Sequence, residues 1–321
     1  MGGPQATQAQ EICQLTGKKQ DVKISYSGGT MRISSVSVFG LGLVLLVGGS
    51  AIQAQEEAAA KLQEQAGNGI IYIVAYDKDQ KEIGKGSAVV IADKLAVAGY
   101  HLIAGAARVD GFNAKNRKVD VKGVVDVDKN FNLVLLQVDG KVSPLPAGSP
   151  EGLEPEKTIF GLGANESGEI IISEGAIRNL YEVRPGTKVA DSSLAVPETF
   201  NGAAVLDPGG RLAGLLVVMD ARLRFIVPVT ALNGLNRTAK PTPWKSWIPD
   251  DYRNSFESAW LAGRLYAWQE DSLGAQRNLE RVVKAQPNNL EAWSMLASVY
   301  DKQRDFNNAV TAYRKVVELD P

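Results

Sequence analysis

The sequence is poor in the residues that bind transition metals. It contains one cysteine and one histidine among 321 residues. A tetrahedral zinc site needs about four such ligands, so we expect no metal centre. A glycine-rich segment at residues 161–168 lacks the lysine of a phosphate-binding loop and is followed by a strand pattern, which predicts a hairpin loop. We therefore expect no cofactor either.

The chain also lacks an excess of charge of either sign. Its 35 basic and 36 acidic residues leave a formal net charge of −1. Nucleic-acid-binding proteins carry a basic surface that neutralises phosphates, so we expect no nucleic-acid partner. The length is sufficient for two domains, each with its own hydrophobic core.

The first 54 residues have the composition of a targeting segment. Met31 and Arg32 precede an apolar run at 36–47 and then several small residues, which is typical of a secretory signal peptide over 31–54. An uncleaved membrane anchor is the alternative, although the run is shorter than the roughly 20 residues of a spanning helix. Residues 1–30 form a polar N-terminal extension, so Met31 is the expected start. Both alternatives predict a protein exported to the periplasm or extracellular space, whose membrane contact is limited to that anchor.

The middle of the chain has the pattern of an all-β domain. Residues 55–67 favour a linker or short helix, and residues 68–235 contain many short β-branched runs separated by turn signals. Such spacing predicts a sandwich or barrel. The clearest predicted strands cover residues 70–76, 86–91, 95–98, 133–138 and 170–172.

A connector rich in proline and tryptophan, residues 236–255, leads to a helical region that repeats itself. The repeats 256–289 and 290–321 share small and aromatic residues at a period of 34 residues, and this region resembles the tetratricopeptide (TPR) family. The residues that carry the resemblance are Gly263, Tyr266, Ala275 and Pro287 in the first repeat, and Trp293, Leu296, Ala297, Tyr300, Ala309, Tyr313, Val316 and Pro321 in the second.

The β domain resembles the trypsin-like serine proteases of the HtrA/Deg type. Segments similar to that family occur in the family's order at residues 86–91, 95–106, 128–137, 201–214 and 225–228. The resemblance implies a trypsin-like double six-stranded β-barrel, followed here by an all-α TPR module of helical hairpins. It also implies that the catalytic histidine, aspartate and serine correspond to His101, Asn132 and Asn201.

Two of these three positions therefore carry carboxamides. An amide is a poor nucleophile, and the asparagine at 132 cannot stabilise an imidazolium as an aspartate does. Thr199 stands where the family has an oxyanion-hole glycine, and a β-branched residue resists unusual backbone conformations. We expect a pseudoprotease with no active catalytic residue. The alternative is a weak serine-endopeptidase-like hydrolase that uses His101, oriented by Asp126, Asp128 or Asp191 if these are not simply surface turn residues.

The TPR resemblance implies that the protein binds a protein or peptide partner and acts as a scaffold or adaptor. Two repeats alone are marginally stable. Either the repeats continue beyond residue 321, or the pair leans on the β domain through Trp244 and Trp247. The residues expected on the concave, peptide-binding face are Trp260, Arg264, Trp268, Ser294, Ser298 and Asp301, of which the tryptophans could equally serve packing.

Overall fold

The computed structural model describes residues 23–26, 29–32, 60–149, 153–165, 167 and 169–321. The chain divides into two units after residue 58. In the first unit, strands β1 (Lys23–Tyr26) and β2 (Gly29–Arg32) form an antiparallel hairpin with Lys23 opposite Arg32. Most of the predicted extension and signal segment lies outside the described residues. The second unit begins with a helix, α1, at residues 60–66.

Six antiparallel strands form the first barrel. The sheet runs in the order β7–β6–β3–β4–β5–β8, and pairing of β8 with β7 closes it. A two-residue strand, β15 (Thr242–Pro243), adds to the outside of β7. The barrel strands are β3 (Ile70–Tyr76), β4 (Glu82–Ala92), β5 (Leu95–Gly99), β6 (Arg108–Asn113), β7 (Lys118–Asp128) and β8 (Leu133–Asp139).

A second closed barrel follows, in the order β10–β11–β14–β13–β12–β9. Its strands are β9 (Thr158–Ala164), β10 (Ile170–Arg184), β11 (Thr187–Ser192), β12 (Ala203–Leu206), β13 (Leu212–Val218) and β14 (Arg224–Pro228). The predicted double six-stranded barrel is therefore confirmed. Of the glycine-rich segment at 161–168, residues 161–164 belong to β9, which pairs with β10.

The strand patterns follow the burial of their side chains. In the first half of β7, Val119 and Val121 are buried while Lys118, Asp120 and Lys122 are exposed. This is the period-2 alternation of a half-buried strand. β13 is buried at every position and reads as a continuous apolar run. β10 extends far beyond its apolar start at 170–172, and its burial is irregular, with Ile170, Ile177 and Val183 buried among half-buried and exposed residues.

Four helices follow the barrels and form two hairpins. They are α2 (Phe256–Trp268), α3 (Ser272–Ala285), α4 (Leu290–Lys302) and α5 (Phe306–Leu319). The starts of α2 and α4 lie 34 residues apart, as do those of α3 and α5. Each helix begins after a residue whose side chain accepts a hydrogen bond from the third helical N–H: Ser255, Asp271, Asn289 and Asp305. The predicted helical-hairpin module is confirmed.

Close packing within the first hairpin depends on a small residue. A Cβ at Gly263 in α2 would lie 3.0 Å from Leu279 Cδ2 in α3, so a larger side chain would force the two helices apart. Among the described residues, no helix is long and apolar enough to cross a membrane.

The connector packs on the first barrel. The indole N–H of Trp244 donates to the carbonyl of Val121 at 2.6 Å, and Trp247 and Tyr252 pack against the core of that barrel. Tyr252 is 1% exposed and lies edge-on to Tyr100, with ring centroids 5.0 Å apart. The two tryptophans thus anchor the connector, while the contact of the helices themselves with the β domain is made by residues of α2.

Candidate functional site

His101, Asn132 and Asn201 meet at the junction of the two barrels. His101 lies in a 3-10 turn directly after β5, Asn132 immediately precedes β8, and Asn201 lies between a second 3-10 turn and β12. Their exposed fractions are 5%, 0% and 5%. The structure therefore brings together three side chains that are 31 and 69 residues apart in the chain and removes them from solvent.

Asn132 is held in one orientation by the backbone. Its φ of 55° lies in the left-handed region, which asparagine tolerates better than most residues. Its Oδ1 accepts a hydrogen bond from the backbone N–H of His101 at 2.8 Å, which directs its NH₂ group to Nδ1 of the same histidine, 2.6 Å away. The imidazole thus meets a hydrogen-bond donor at Nδ1, where a carboxylate would offer an acceptor.

Asn201 is fixed in the same way on the other side of the ring. Its Oδ1 accepts from the N–H of Val218 at 3.1 Å and its Nδ2 donates to the carbonyl of Val218 at 2.8 Å. These two hydrogen bonds identify which terminal atom of the amide is the oxygen and which is the nitrogen. The NH₂ group then lies 2.6 Å from Nε2 of His101.

The imidazole is therefore flanked by two amide NH₂ groups. A neutral imidazole has one donor and one acceptor nitrogen, and an imidazolium has two donors. The acceptor that the ring does meet is the carbonyl of Val218, 3.1 Å from Nε2. Burial, and then the positive charge of Arg253, lower the pKa of His101 from 6.5 to about 4. The ring is neutral at pH 7 and has no partner from which to take a proton.

In the turn after β11, the backbone N–H of Asn201 is not free to meet a substrate carbonyl. Residues Glu198–Phe200, including Thr199, form a 3-10 turn. The N–H of Asn201 donates to the carbonyl of Glu198 at 3.0 Å, and the N–H of Phe200 donates to Pro197 at 3.0 Å. An oxyanion hole needs preorganised N–H donors that point at the developing charge. The N–H of Asn201 is used inside the turn instead.

The ring has no hydroxyl partner. Among the described residues, its hydrogen bonds involve Asn132, Asn201 and the carbonyl of Val218, and no serine or threonine oxygen. Val218 contributes through its backbone, which no side-chain motif in the sequence could have indicated.

None of the three aspartates considered as orienting groups bonds to His101. Asp126 accepts a hydrogen bond from the N–H of Asn236, and Asp191 from the N–H of Ser192. Asp128 accepts from the N–H groups of the turn that follows it and lies 3.7 Å from Arg184. All three carboxylates therefore stabilise loops and strand ends away from the imidazole.

The end of the connector packs beside this site. Asp250 accepts a hydrogen bond from Tyr100 at 2.7 Å and pairs with Lys129 at 2.6 Å, which fastens the connector to the loops that carry His101 and Asn132. Arg253 follows and lines both cavities beside His101, of about 240 and 230 Å³. No local sequence pattern indicates this contact, because the connector docks on loops more than 100 residues away.

The first-repeat residues expected on an open concave face lie against the second barrel. Arg264 is 8% exposed and donates to the carbonyl of Val183 in β10 at 2.8 Å. Its guanidinium lies 4.7 Å from the ring centroid of Trp260 and 5.8 Å from that of Trp268. Trp268 in turn stacks on Tyr181 of β10, with centroids 5.5 Å apart. The prediction of an open face at Arg264 and Trp268 is corrected: burying these large side chains against β10 removes apolar surface from water.

The second repeat remains accessible on the same side. Ser298 and Asp301 are exposed, and Ser294 is half-buried with its hydroxyl donating to the carbonyl of Leu290 at 3.0 Å. Within the part of the chain that the structure describes, no group of three or more histidine, cysteine or acidic side chains could hold a metal ion.

Two family profiles match the chain. The profile of the trypsin-like peptidase domain matches residues 86–215, and that of the tetratricopeptide repeat matches residues 290–321. The first matched segment contains His101, Asn132 and Asn201.

A curated protein and several solved structures are similar to parts of the chain. The anti-sigma-I factor RsgI9 of Acetivibrio thermocellus is 26% identical over 165 residues, which cover 51% of this chain and 23% of that protein. The Rv3671c protease of M. tuberculosis in its active form has a TM-score of 0.49 at 16% identity, over 60% of this chain and 87% of that one. Deg5 has a TM-score of 0.48 at 20% identity, over 56% and 92% of the respective chains.

Proposed function

We propose that this protein, whose chain carries a trypsin-like peptidase domain followed by a tetratricopeptide repeat, is a catalytically inactive protease homologue that acts as a protein-binding scaffold. The observation that carries the proposal is the pair of amide nitrogens of Asn132 and Asn201, each 2.6 Å from a ring nitrogen of His101. Because a signal peptide or anchor is predicted at residues 31–54, we further propose that the scaffold acts outside the cytoplasm.

The chemistry of the triad gives the magnitude of the defect. Replacing the triad aspartate by asparagine lowers turnover of a serine protease about 10⁴-fold. Loss of the nucleophile lowers turnover by about 10⁶-fold in a subtilisin-type enzyme. These losses do not add, but either one would remove most of the rate enhancement.

The end of the connector ties together the loops that carry His101 and Asn132. The carboxylate of Asp250 is bonded to both Tyr100 and Lys129, and Tyr252 donates to the carbonyl of Lys129 at 2.8 Å. We assign the barrels the role of a rigid platform for the helices.

The last helix offers a surface for a protein partner. Tyr313 and Val317 of α5 are 46% and 64% exposed, whereas their equivalents one repeat earlier, Leu279 and Val283, are 0% and 8% exposed. Leu279 and Val283 belong to α3, which packs against α4. The repeat thus indicates what fits this face of α5, namely an amphipathic helix resembling α4 presented by the partner.

Activity assays test the inactive site. The full chain, His101→Ala and the double variant Asn132→Asp/Asn201→Ser are assayed with protein and ester substrates. We expect the same background rate for the wild type and His101→Ala. Wild-type turnover that disappears in His101→Ala would overturn the proposal in favour of a weak hydrolase that uses His101.

Crosslinking capture from the native envelope fraction tests the partner surface. A genuine partner is lost when Val317 on α5 is replaced by glutamate and retained in Leu273→Glu, because Leu273 is 69% exposed on α3 and equally apolar. Equal capture by the wild type and both variants would contradict docking on α5.

A further inference from the structure

A second cavity lies behind the imidazole, between the second barrel and the first helical hairpin. It has a volume of about 230 Å³ and is formed by the loop after β13, the end of the connector, α2 and α3. This space is large enough for a small molecule, or for a charged group with several waters. It shares His101, Met219, Asp220 and Arg253 with the cavity on the other side of the ring.

Three arginines converge on this cavity from two elements. Arg253 comes from the connector, and Arg277 and Arg281 lie one turn apart on the same face of α3. None of the three is within ion-pair distance of a carboxylate of the described residues. Like charges gathered at a partly buried cavity repel one another, so an anion bound between them would be stabilised by all three.

The acidic residue that lines the cavity is already engaged. The Oδ1 atom of Asp220 accepts hydrogen bonds from the N–H groups of Arg222 and Leu223, both at 2.9 Å, and its Oδ2 accepts from the hydroxyl of Tyr266. Burial opposes the charge of Asp220, but these hydrogen bonds and the positive charge of Arg277 outweigh it, so the pKa of the carboxyl lies below its ordinary value. The carboxylate is thus occupied by donors other than the three guanidinium groups.

The innermost guanidinium is positioned by neutral partners. Arg281 is half-buried and donates to the side-chain oxygen of Asn278 at 3.3 Å and to the carbonyl of Arg253 at 3.2 Å. Asn278 is itself 6% exposed and bonded to the carbonyl of Gly274 at 2.9 Å. Neutral acceptors orient the guanidinium and leave its charge uncompensated. Arg253 and Arg277 are exposed and line the open side.

We infer that this cavity is a binding site for an oxyanion, a phosphate or carboxylate group held by Arg253, Arg277 and Arg281. The planar guanidinium binds such groups through paired hydrogen bonds, which suits it to this role. The imidazole of His101 forms one wall of the site. It is neutral at pH 7 and adds no charge of its own. The site goes beyond the scaffold role and does not depend on it.

Thermal unfolding of the full chain at constant ionic strength tests the site. A ligand that binds the folded state raises the melting temperature with a saturable concentration dependence. Inorganic phosphate and sodium succinate are compared with sodium chloride, which distinguishes a phosphate from a carboxylate ligand. We expect a saturable rise in melting temperature with phosphate or succinate. In Arg277→Gln and in Arg281→Gln, the anion concentration that gives half of the maximal rise should be at least tenfold higher.

Arg211→Gln is the matched control, since Arg211 is exposed in a turn away from the cavity. It should retain the wild-type midpoint. His101, the one histidine of the sequence, provides an independent readout. Its ring resonances should shift over the same range of anion concentration at fixed pH. Equal effects of chloride, unchanged midpoints in both α3 variants, or ring resonances that do not move would each overturn the site.

Discussion

The side-chain nitrogen of Asn201 lies 2.6 Å from Nε2 of His101, at the position where a general base would meet the hydroxyl proton of a nucleophile. The same nitrogen donates to the carbonyl of Val218. Asn201 is therefore a structural element that ties the imidazole to the wall of the second barrel.

Asn132→Ala should destabilise the protein by about 2–5 kcal/mol. Left-handed backbone costs alanine about 1–2 kcal/mol, and the unpaired N–H of His101 adds about 1–3 kcal/mol. Asn116→Ala is the matched control, because Asn116 has a φ of 52° but an exposed side chain. It should lose about 1 kcal/mol in urea unfolding. Equal losses would show that the buried amide contributes nothing.

Gly202→Ala should be far more damaging than Gly186→Ala. Both glycines have positive φ, 81° and 74°, so both variants carry the same backbone strain. A Cβ at Gly202 would lie 2.0 Å from the carbonyl oxygen of Ser87, whereas a Cβ at Gly186 meets no atom within 4 Å. We expect about 1 kcal/mol for Gly186→Ala and more than about 3 kcal/mol for Gly202→Ala, measured by urea unfolding. Similar values would mean that β4 does not approach the Asn201–Gly202 turn this closely.

Trp268→Ala should uncouple the helices from the second barrel. The variant removes the stack on Tyr181 and one of the two rings beside Arg264. We expect a loss of about 2–3 kcal/mol and faster amide hydrogen exchange throughout α2 and α3. Leu273→Ala, at a site 69% exposed on α3, is the control and should change stability by less than about 0.5 kcal/mol. Unchanged exchange in Trp268→Ala would contradict the junction.

The stability of the protein should fall between pH 6.5 and pH 4 because of His101. Its pKa is about 4 in the folded state and 6.5 ordinarily, so the unfolded chain binds more protons in this window. The stabilisation is complete above pH 6.5 and is lost as the pH falls, by about 3 kcal/mol in total. Urea unfolding at pH 7 and pH 4.5 should show a larger loss for the wild type than for His101→Gln. Parallel losses would contradict the lowered pKa.

The strands and the helical hairpins were predictable because their signals are local, whereas the double barrel was implied by the family resemblance. The apolar run 70–76 became β3 with the same bounds, and the 34-residue period placed the helix pairs. The grouping of His101, Asn132 and Asn201 was implied by the family resemblance and appears in the structure as direct contacts.

The surroundings of the site could not be predicted from local patterns. Val218 contributes backbone atoms, which leave no side-chain signature, and Arg253 reaches His101 from a connector 152 residues further along the chain. Arg264 and Trp268 occupy positions that a free repeat would expose, but β10 offers an apolar and aromatic partner that covers them. Such contacts between distant segments depend on the assembled fold.

The protonation state of His101 is the sharpest test of the inactive site. Because the chain has one histidine, its ring resonances can be followed by NMR from pH 3 to pH 8 in the full-length protein without ambiguity. We predict a neutral imidazole throughout pH 5.5–8 and a midpoint near the value of about 4 set by its burial and by Arg253. A midpoint between pH 6 and 7.5, the range of a working general base, would contradict the inactive site.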